Sequence, residues 1–391
     1  MTSSRVQFSS VSVIVPTYKE AENLPLLVPR IAAAFAASHI ANWEIIVVDD
    51  NSPDATPAVL SDLQRRFPQL RYLIRTKDRG LSSAVMAGVE LAQHDVLVVM
   101  DADLSHPPES VPALVDRLNV GDADFVIGSR YVKGGATENW SRLRWLNSAA
   151  ATVMARPLVG LVRDPMAGFF ALRRDLLVTA APLSPIGYKI GLELIVKTRI
   201  PTDRVAEVPI TFRDRAHGES KLTMREQFRY LEHLSRLYDF SYPLASPRAK
   251  FLLAGGCGAM ACFATVTLLG AILKAPSFAS IAFGLFSMSM VTLAFFARYM
   301  RAEREFASMR QPYTEFAGIS LAEFVAGWTA AVLLNQSLFA ATAAAIIMVL
   351  VTRYTLRKVL LHDLRGIPLS PPQGMQIPAR PVPAIRATAS A

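Results

Sequence analysis

The chain has 391 residues, of which 52% are hydrophobic, and its 41 lysines and arginines against 32 aspartates and glutamates give a net charge of +9. This length allows two domains, and two cysteines exclude a disulfide-stabilised scaffold. A basic chain can bind nucleic acid, anionic lipid or phosphorylated substrates, but no module of interleaved basic and aromatic residues is visible, so we expect no nucleic acid partner.

Short apolar runs alternate with helical segments in the first half of the chain. The strands are predicted at Val11–Pro16, Glu44–Asp50, Asp95–Met100 and Asp124–Ile127, and the helices at Asn23–Phe35 and Asp54–Arg66. This alternation predicts an α/β fold with an open, mostly parallel sheet, in which ligands bind beyond the carboxyl ends of the strands. Residues 1–10 are polar and predict no signal peptide, so we expect this half to stay in the cytoplasm.

Acidic residues follow two of these strands. Asp49 and Asp50 end the second one, where they could bind a base or ribose or could cap the next helix, and we favour binding because of their position. Asp101 and Asp103 follow the strand 95–100, and two carboxylates at this spacing can share a hard cation such as Mg²⁺ or Mn²⁺. Such a cation would bridge the pyrophosphate of a nucleotide sugar and neutralise charge on the leaving diphosphate.

Several basic residues beyond these acids could bind phosphate. The candidates are Arg130, Arg142, Arg144, Arg213, Arg215 and Lys221. Arginine binds phosphate through paired hydrogen bonds, although exposed charges that only confer solubility are the alternative. For the segment 213–221 we favour an ordered active-site loop, because it combines a dense polar run with Gly218.

The second half of the chain, residues 251–352, is mostly apolar and predicts a membrane domain. Its last uncharged stretch, 324–352, could form one helix or two. Four crossings place all three clusters of basic residues on one side, as the positive-inside rule requires, whereas three would place the last cluster outside. We therefore predict four helices, at about 251–273, 275–297, 316–334 and 337–353.

Three further features complete the predicted domain organisation. The apolar residues of 222–240 recur at helical spacing, which predicts an amphipathic helix at the membrane interface. Glu323 is a functional candidate because it is an acid beside a membrane segment, but we favour a solvated position at the interface. The proline-rich tail after Gly366 predicts disorder. The predicted domains are thus 1–240, 241–365 and 366–391.

Motifs in both halves resemble known families. Val13–Glu20, Val47–Asp54 and Asp101–Asp103 resemble family 2 glycosyltransferases with the GT-A fold. The later segments look like dolichol-phosphate mannose synthases; they are Asp164–Phe170, Gly187–Glu193, Val208–Phe212 and Gly218–Lys221. The membrane half is similar to the four-helix GtrA-like domain fused to some of these enzymes.

The resemblance implies a role for each matching residue. The guanosine of GDP-mannose would be held by Pro16, Tyr18, Glu20, Val48 and Asp50. Asp101, Ala102 and Asp103 would hold the metal and the donor phosphates. The phosphates of donor and acceptor would be bound by Arg130, Arg144, Ser148, Arg215 and Lys221. Ser105 stands where the family often has glutamine, and this shorter, weaker ligand is the candidate third metal ligand.

The resemblance also implies an inverting transfer of mannose from GDP-mannose to dolichyl or polyprenyl phosphate, with a β-linked product. The acceptor phosphate is already anionic, so we expect no dedicated general base, and His106 and His217 are predicted to be structural or to contact substrate. The alternatives are a transferase that uses UDP-glucose or another UDP-sugar with undecaprenyl phosphate, and a non-catalytic lipid-sugar flippase or scaffold. We expect a multi-pass protein of the inner membrane with a cytoplasmic catalytic domain, and the sequence predicts no oligomeric state.

Overall fold

The computed structural model describes residues 10–138, 140–183, 186–213, 224–243, 245–295, 311–333 and 337–364. The chain divides into two units between Leu237 and Tyr238. The first is built on a sheet and the second is built of helices. The predicted tail and the arginines between residues 298 and 310 lie outside the described residues.

The first unit contains a seven-stranded sheet. Its strands are β1 Ser10–Thr17, β2 Asn42–Asp49, β3 Leu70–Ile74, β4 Val96–Val99, β5 Phe125–Ser129, β7 Phe170–Arg173 and β8 Val205–Pro209. They lie in the order β3-β2-β1-β4-β7-β5-β8, and only β7 runs antiparallel to its neighbours. The predicted mostly parallel α/β fold is therefore confirmed. A separate pair of short parallel strands consists of β6 Ala136–Thr137 and β9 Thr211–Phe212.

The central strands are nearly continuous runs of buried apolar residues, as expected for parallel strands covered on both faces. The helices of this unit are α1 Leu24–Ala36, α2 Thr56–Arg66, α3 Leu81–Leu91, α4 Val111–Asn119, α5 Arg142–Val159, α6 Asp175–Val178, α7 Ile190–Lys197 and α8 Met224–Ser241, the last of which crosses the division between the units. The first helix shows why they pack here, because Leu24, Leu27, Val28, Ile31 and Phe35 form one buried stripe at helical spacing.

The second unit contains four described α-helices, which are α9 Ser246–Val266, α10 Ser277–Phe295, α11 Gln311–Leu333 and α12 Leu338–Leu364, and a π-helix, Thr267–Ile272, continues α9. Small residues allow close packing between them: a side chain at Gly284 would meet Val266, and one at Gly327 would meet Val349. Within the described residues, two stretches are long and apolar enough to cross a membrane, Arg248–Gly270 and Ser277–Phe295.

The helix that contains the predicted fourth crossing, 337–353, continues to Leu364, so Arg353 lies inside it. One prediction for this unit is wrong. Glu323 is not solvated, because its carboxylate is buried and forms two hydrogen bonds with the buried guanidinium of Arg353. A charge can be buried when an opposite charge on a neighbouring helix compensates it, and that partner lies 30 residues away in the sequence.

Candidate active site

Asp49 ends β2 and is completely buried. Its carboxylate accepts hydrogen bonds from the backbone N–H of Ser52, at 2.9 Å, and from the hydroxyl of the same serine. The Ser52 hydroxyl oxygen in turn accepts the backbone N–H of Lys19 at 2.8 Å. Asp49 therefore joins the loops that follow β1 and β2, and the prediction that both acids of this pair bind ligand is wrong for Asp49.

Asp50 organises the loop between β3 and α3. Its Oδ1 accepts a hydrogen bond from Arg75 Nε at 2.9 Å, and its Oδ2 accepts the backbone N–H of Gly80 at 2.6 Å. Gly80 has a φ of +146°, a conformation that residues with a side chain rarely adopt. Asp50 thus lies at the predicted edge of the sheet, where protein donors already bind both of its oxygens.

The other residues predicted to hold a nucleoside surround this point. Pro16 and Val48 are buried partners on β1 and β2. Tyr18 is half-buried, and the guanidinium carbon of Arg79 lies 5.0 Å from the centre of its ring. The carboxylate of Glu20 accepts a hydrogen bond from Asn23 at 2.6 Å. The ends of β1 and β2 therefore bring together an aromatic ring, two acids and an arginine.

Asp101 and Asp103 follow β4 at the same edge of the sheet. The side chain of Asp101 is 34% exposed, whereas Asp103 is buried and its Oδ1 accepts the backbone N–H of Ser105 at 3.1 Å. A Cβ atom at Gly168 would lie only 3.1 Å from Oδ2 of Asp101, so glycine keeps the space beside this carboxylate open. Ala102 is buried between the two acids.

This arrangement suits a hard divalent cation. Mg²⁺ is commonly held by one or two carboxylates together with substrate phosphates and water. Within the part of the chain that the structure describes, no group of three or more histidine, cysteine, aspartate or glutamate side chains could surround a metal. The two carboxylates of Asp101 and Asp103 fit a metal that is shared between the protein and a phosphorylated ligand. Ser105, the predicted third ligand, is buried beside them, and its carbonyl accepts the backbone N–H of Arg213 at 3.1 Å.

His106 supports the loop that carries these acids. It is buried, its ring stacks on Phe169 at 5.3 Å, and its Nδ1 accepts the backbone N–H of Asp101 at 3.3 Å. Burial lowers the pKa of His106 to about 4, so the ring is neutral near pH 7. A neutral imidazole can accept this hydrogen bond at Nδ1, which gives His106 a structural role.

Arg130 was predicted to bind phosphate, and it lies at the expected edge, directly after β5. Its guanidinium group faces the completely buried carboxylate of Asp164, with Nε 2.7 Å from Oδ2 and one terminal nitrogen 2.6 Å from Oδ1. Burial acts to lower the pKa of Arg130, but the hydrogen bonds and the charge of Asp164 raise it above its ordinary value. Arg130 is therefore a fixed positive charge with an internal counter-charge.

Aromatic rings surround this arginine. The guanidinium carbon of Arg130 lies between 5.0 and 5.4 Å from the ring centres of Tyr131, Trp140 and Phe212. Arg144, on the first turn of α5, lies 4.5 Å from the ring of Trp140. The structure thus brings together two of the predicted phosphate-binding arginines.

Ser148, also on α5, lies beside the same cluster, with its hydroxyl 2.8 Å from the hydroxyl of Tyr131. The remaining two predicted phosphate ligands, Arg215 and Lys221, lie outside the described residues.

Lys189, which the sequence does not single out, lies close enough to Arg130, Asp164 and Asp101 for their charges to act on it. Its Nζ donates a hydrogen bond to the carbonyl of Met166 at 2.9 Å. Burial and the positive charge of Arg130 lower the pKa of Lys189 to about 8, although Asp164 and Asp101 act in the opposite direction. The motif 187–193 pointed to this segment, but nothing in its spacing or charge distinguished Lys189 from a surface lysine.

Sequence comparisons relate this chain to known proteins. The family model described as "Glycosyl transferase family 2" matches residues 12–179. The chain is 44% identical to a dolichol-phosphate mannosyltransferase of Mycosarcoma maydis, over 60% of this chain and 80% of that protein. It is 40% identical to a polyprenol monophosphomannose synthase of Mycolicibacterium smegmatis, over 54% of this chain and 80% of that protein.

One further relative and one solved structure are also similar to this chain. A dolichol-phosphate mannosyltransferase of Pyrococcus furiosus is 48% identical over 58% of this chain, which spans 63% of that protein's length. A glucosyl-3-phosphoglycerate synthase of Mycobacterium tuberculosis, solved with Mn²⁺, UDP-glucose and phosphoglyceric acid, is 22% identical with a TM-score of 0.46, over 59% of this chain and 79% of that one.

Proposed function

Because this chain belongs to glycosyl transferase family 2 and, within it, to the dolichol-phosphate mannosyltransferases, we propose that it transfers mannose from GDP-mannose to a polyprenyl phosphate. The products would be GDP and a β-linked polyprenyl-phosphate mannose. The observation that carries the proposal is the meeting of two carboxylates, Asp101 and Asp103, with the charges of Arg130 and Lys189 at one edge of the sheet.

The donor would bind across the ends of β1, β2 and β4. Tyr18 and Asp50 would hold the nucleoside, with Pro16 and Val48 forming the floor. Asp101 and Asp103 would hold a divalent metal, Mg²⁺ or Mn²⁺, which when bound would neutralise charge on the leaving diphosphate. We retain Ser105 as a candidate third ligand to that metal.

The acceptor would bind on the side of α5 and β9. Its phosphate is anionic near neutral pH and can attack the anomeric carbon without a strong base. The neutral, buried His106 agrees with this expectation, because its Nδ1 already accepts the Asp101 N–H. Arg144, Lys189, Ser148, Arg215 and Lys221 would position the phosphates, and Arg130 would contribute a fixed positive charge. A single displacement would invert the anomeric centre.

We further propose that the second unit is a GtrA-like, four-helix membrane domain spanning about 241–365, and that residues 1–240 form a cytoplasmic catalytic domain. The support consists of two candidate spans, Arg248–Gly270 and Ser277–Phe295, and two shorter apolar stretches, Ser320–Leu333 and Leu338–Arg353. The basic residues after the second and last helices favour an orientation with these ends inside. The protein would then be a multi-pass protein of the inner membrane.

The test is a transfer assay with the full chain purified in detergent. GDP-mannose labelled in the sugar is supplied with a short polyprenyl phosphate, with Mn²⁺, with Mg²⁺ or with EDTA, and a parallel series contains UDP-glucose. We expect labelled lipid only from GDP-mannose and a metal, with a β linkage in the product. Transfer from UDP-glucose alone, or an α-linked product, would contradict the proposal.

A matched pair of variants connects the activity to the carboxylates. Asp101→Asn removes a charge from the metal site and should reduce transfer about a hundredfold or more, as expected for a lost electrostatic contact to the transition state. Asp116→Asn removes an exposed charge on α4 and should leave the rate unchanged. If both variants retained full activity, Asp101 would not belong to the metal site.

A further inference from the structure

Trp140 is held in place by the small parallel strand pair. The backbone N–H of Glu138, which follows β6, donates to the carbonyl of Phe212 on β9 at 2.9 Å. The ring of Trp140 then packs edge-on against the ring of Phe212, with centres 5.6 Å apart and an angle of 83° between the planes. This is a favoured geometry for two aromatic rings, so the position of the indole is well defined.

Two guanidinium groups lie over this indole. Their central carbons are 5.0 Å from the ring centre for Arg130 and 4.5 Å for Arg144, which is within the range of a cation–π interaction. Two positive charges in one place repel each other, and the negative face of an aromatic ring offsets part of that repulsion. Trp140 therefore keeps Arg144 beside the fixed pair of Arg130 and Asp164.

The indole also carries a buried donor. Nε1 of Trp140 is inaccessible to solvent, and it finds no hydrogen-bond acceptor within the part of the chain that the structure describes. Most buried polar groups are paired, so an exception requires an explanation. The indole N–H can only donate. An anion that enters beside Arg130 and Arg144 would supply the missing acceptor.

We propose that Trp140 is a binding residue for the acceptor phosphate, with two separable contributions. Its ring positions the guanidinium of Arg144, and its Nε1–H donates a hydrogen bond to a phosphate oxygen of the polyprenyl phosphate. The identity of that phosphate rests on the proposed function. We assign Trp140 to the acceptor phosphate and not to the nucleoside of the donor, because Tyr18 and Asp50, which would hold the nucleoside, follow other strands.

The experiment measures binding of a short polyprenyl phosphate to the full chain in detergent, by calorimetry and without any donor. Trp140→Phe keeps an aromatic ring and removes the N–H, whereas Trp140→Leu removes both. Trp145→Phe is the matched control, because this tryptophan lies five residues further on and its side chain is 55% exposed.

We expect Trp140→Phe to weaken the binding of polyprenyl phosphate roughly tenfold, the effect of one lost hydrogen bond to a charged group, and Trp140→Leu to weaken it further. Trp145→Phe should bind like the wild type. The affinity for GDP-mannose, measured in the same way, should stay unchanged in all three variants. In turnover, the KM for polyprenyl phosphate should rise while the KM for GDP-mannose does not.

Two results for Trp140→Phe would decide against the inference. If Trp140→Phe bound polyprenyl phosphate like the wild type, or if it lost affinity for both substrates alike, the assigned role would be wrong. A thermal melt of each variant shows whether it is folded, and Trp140→Phe decides alone if Trp140→Leu does not fold. A wild-type protein that binds polyprenyl phosphate but transfers no mannose would overturn the proposed function while the role of Trp140 is still decided by binding. A wild-type protein that does not bind the lipid phosphate would overturn both.

Discussion

Arg130 and Asp164 form a two-pronged ion pair at the edge of the sheet. Nε and a terminal nitrogen of the arginine lie 2.7 and 2.6 Å from the two oxygens of the carboxylate, which also accepts the backbone N–H of Arg130 at 3.0 Å. Asp164 is itself fixed, because its own N–H donates to Glu207 at 3.0 Å. The pair therefore sets a rigid positive charge close to Asp101.

Replacing the buried acid tests this role. We expect Asp164→Asn to lower the free energy of unfolding by about 3–5 kcal/mol, because it leaves a buried guanidinium without its counter-charge. Denaturant unfolding of the full chain, followed by tryptophan fluorescence, measures the change. Asp122→Asn is the control, since this acid pairs with Arg117 on the surface and its side chain is 60% exposed. The decrease in the free energy of unfolding of this variant should be too small to measure. Equal effects of the two variants would contradict the structural role of the pair.

Lys189 should give the reaction an alkaline limit. Its pKa is lowered to about 8, so the side chain is positively charged below that pH and becomes neutral above it. If the charge holds a phosphate, kcat/KM falls as the pH rises through about 8. Lys189→Arg keeps the charge at all these pH values and should remove this decline. A wild-type rate that stays constant up to pH 9.5 would show that the charge of Lys189 is not used.

The same lysine also affects stability. The folded protein gives up this proton at about pH 8, whereas the unfolded chain keeps it until about the ordinary lysine value of 10.5. Between these two values the unfolded state binds more protons, so the contribution of Lys189 to stability increases with pH. Melting temperatures of the wild type and Lys189→Met, compared at pH 7.5 and pH 9.5, should therefore differ less at the higher pH if the neutral lysine packs like methionine.

Asp50 should act on the donor alone. Asp50→Asn removes the charge that faces Arg75, and loosens the loop that Gly80 anchors. We expect the KM for GDP-mannose to rise roughly tenfold, the cost of about one charged hydrogen bond, with no change in the KM for polyprenyl phosphate. Asp78→Asn, an exposed residue of the same loop with a φ of +51°, is the control, because asparagine accepts that conformation. An unchanged KM for GDP-mannose in Asp50→Asn would show that Asp50 serves the fold only.

The buried pair of Glu323 and Arg353 should hold α11 against α12. Glu323→Gln leaves a buried arginine without a counter-charge and should lower the melting temperature of the full chain in detergent, because breaking such a pair costs about 3–5 kcal/mol. The double variant Glu323→Arg with Arg353→Glu should recover most of the loss. Lys274→Gln removes an exposed charge in the same unit and should melt like the wild type. A double variant no more stable than Glu323→Gln would exclude direct pairing as the cause.

The sequence predicted those parts of the fold that depend on local pattern. The strands β1 and β2 are buried on both faces and therefore appear as unbroken apolar runs. The direction of β7 was not predicted, because it depends on which strands lie beside it and not on the residues 170–173 themselves.

The site shows the same division between local and distant information. Asp101 and Asp103 could be found because they directly follow a strand. In contrast, Asp49 and Asp50 look equivalent in sequence. Only the structure shows that the carboxylate of Asp49 is hydrogen-bonded to Ser52 within its own turn. The partners of Arg130 and Glu323 lie 34 and 30 residues away, a separation at which no spacing rule indicates contact.

The antiparallel direction of β7 explains how the two sides of the site come from two different stretches of the chain. Since β7 begins beside the end of β4, the segment that precedes it reaches the catalytic edge as the chain enters the sheet and not as it leaves. The proposed donor side comes from one continuous stretch, residues 13–105, and the proposed acceptor side from a second, residues 128–221. Insertions or recombination in the second stretch could therefore change the accepted lipid over evolutionary time while the sugar-nucleotide half is inherited intact.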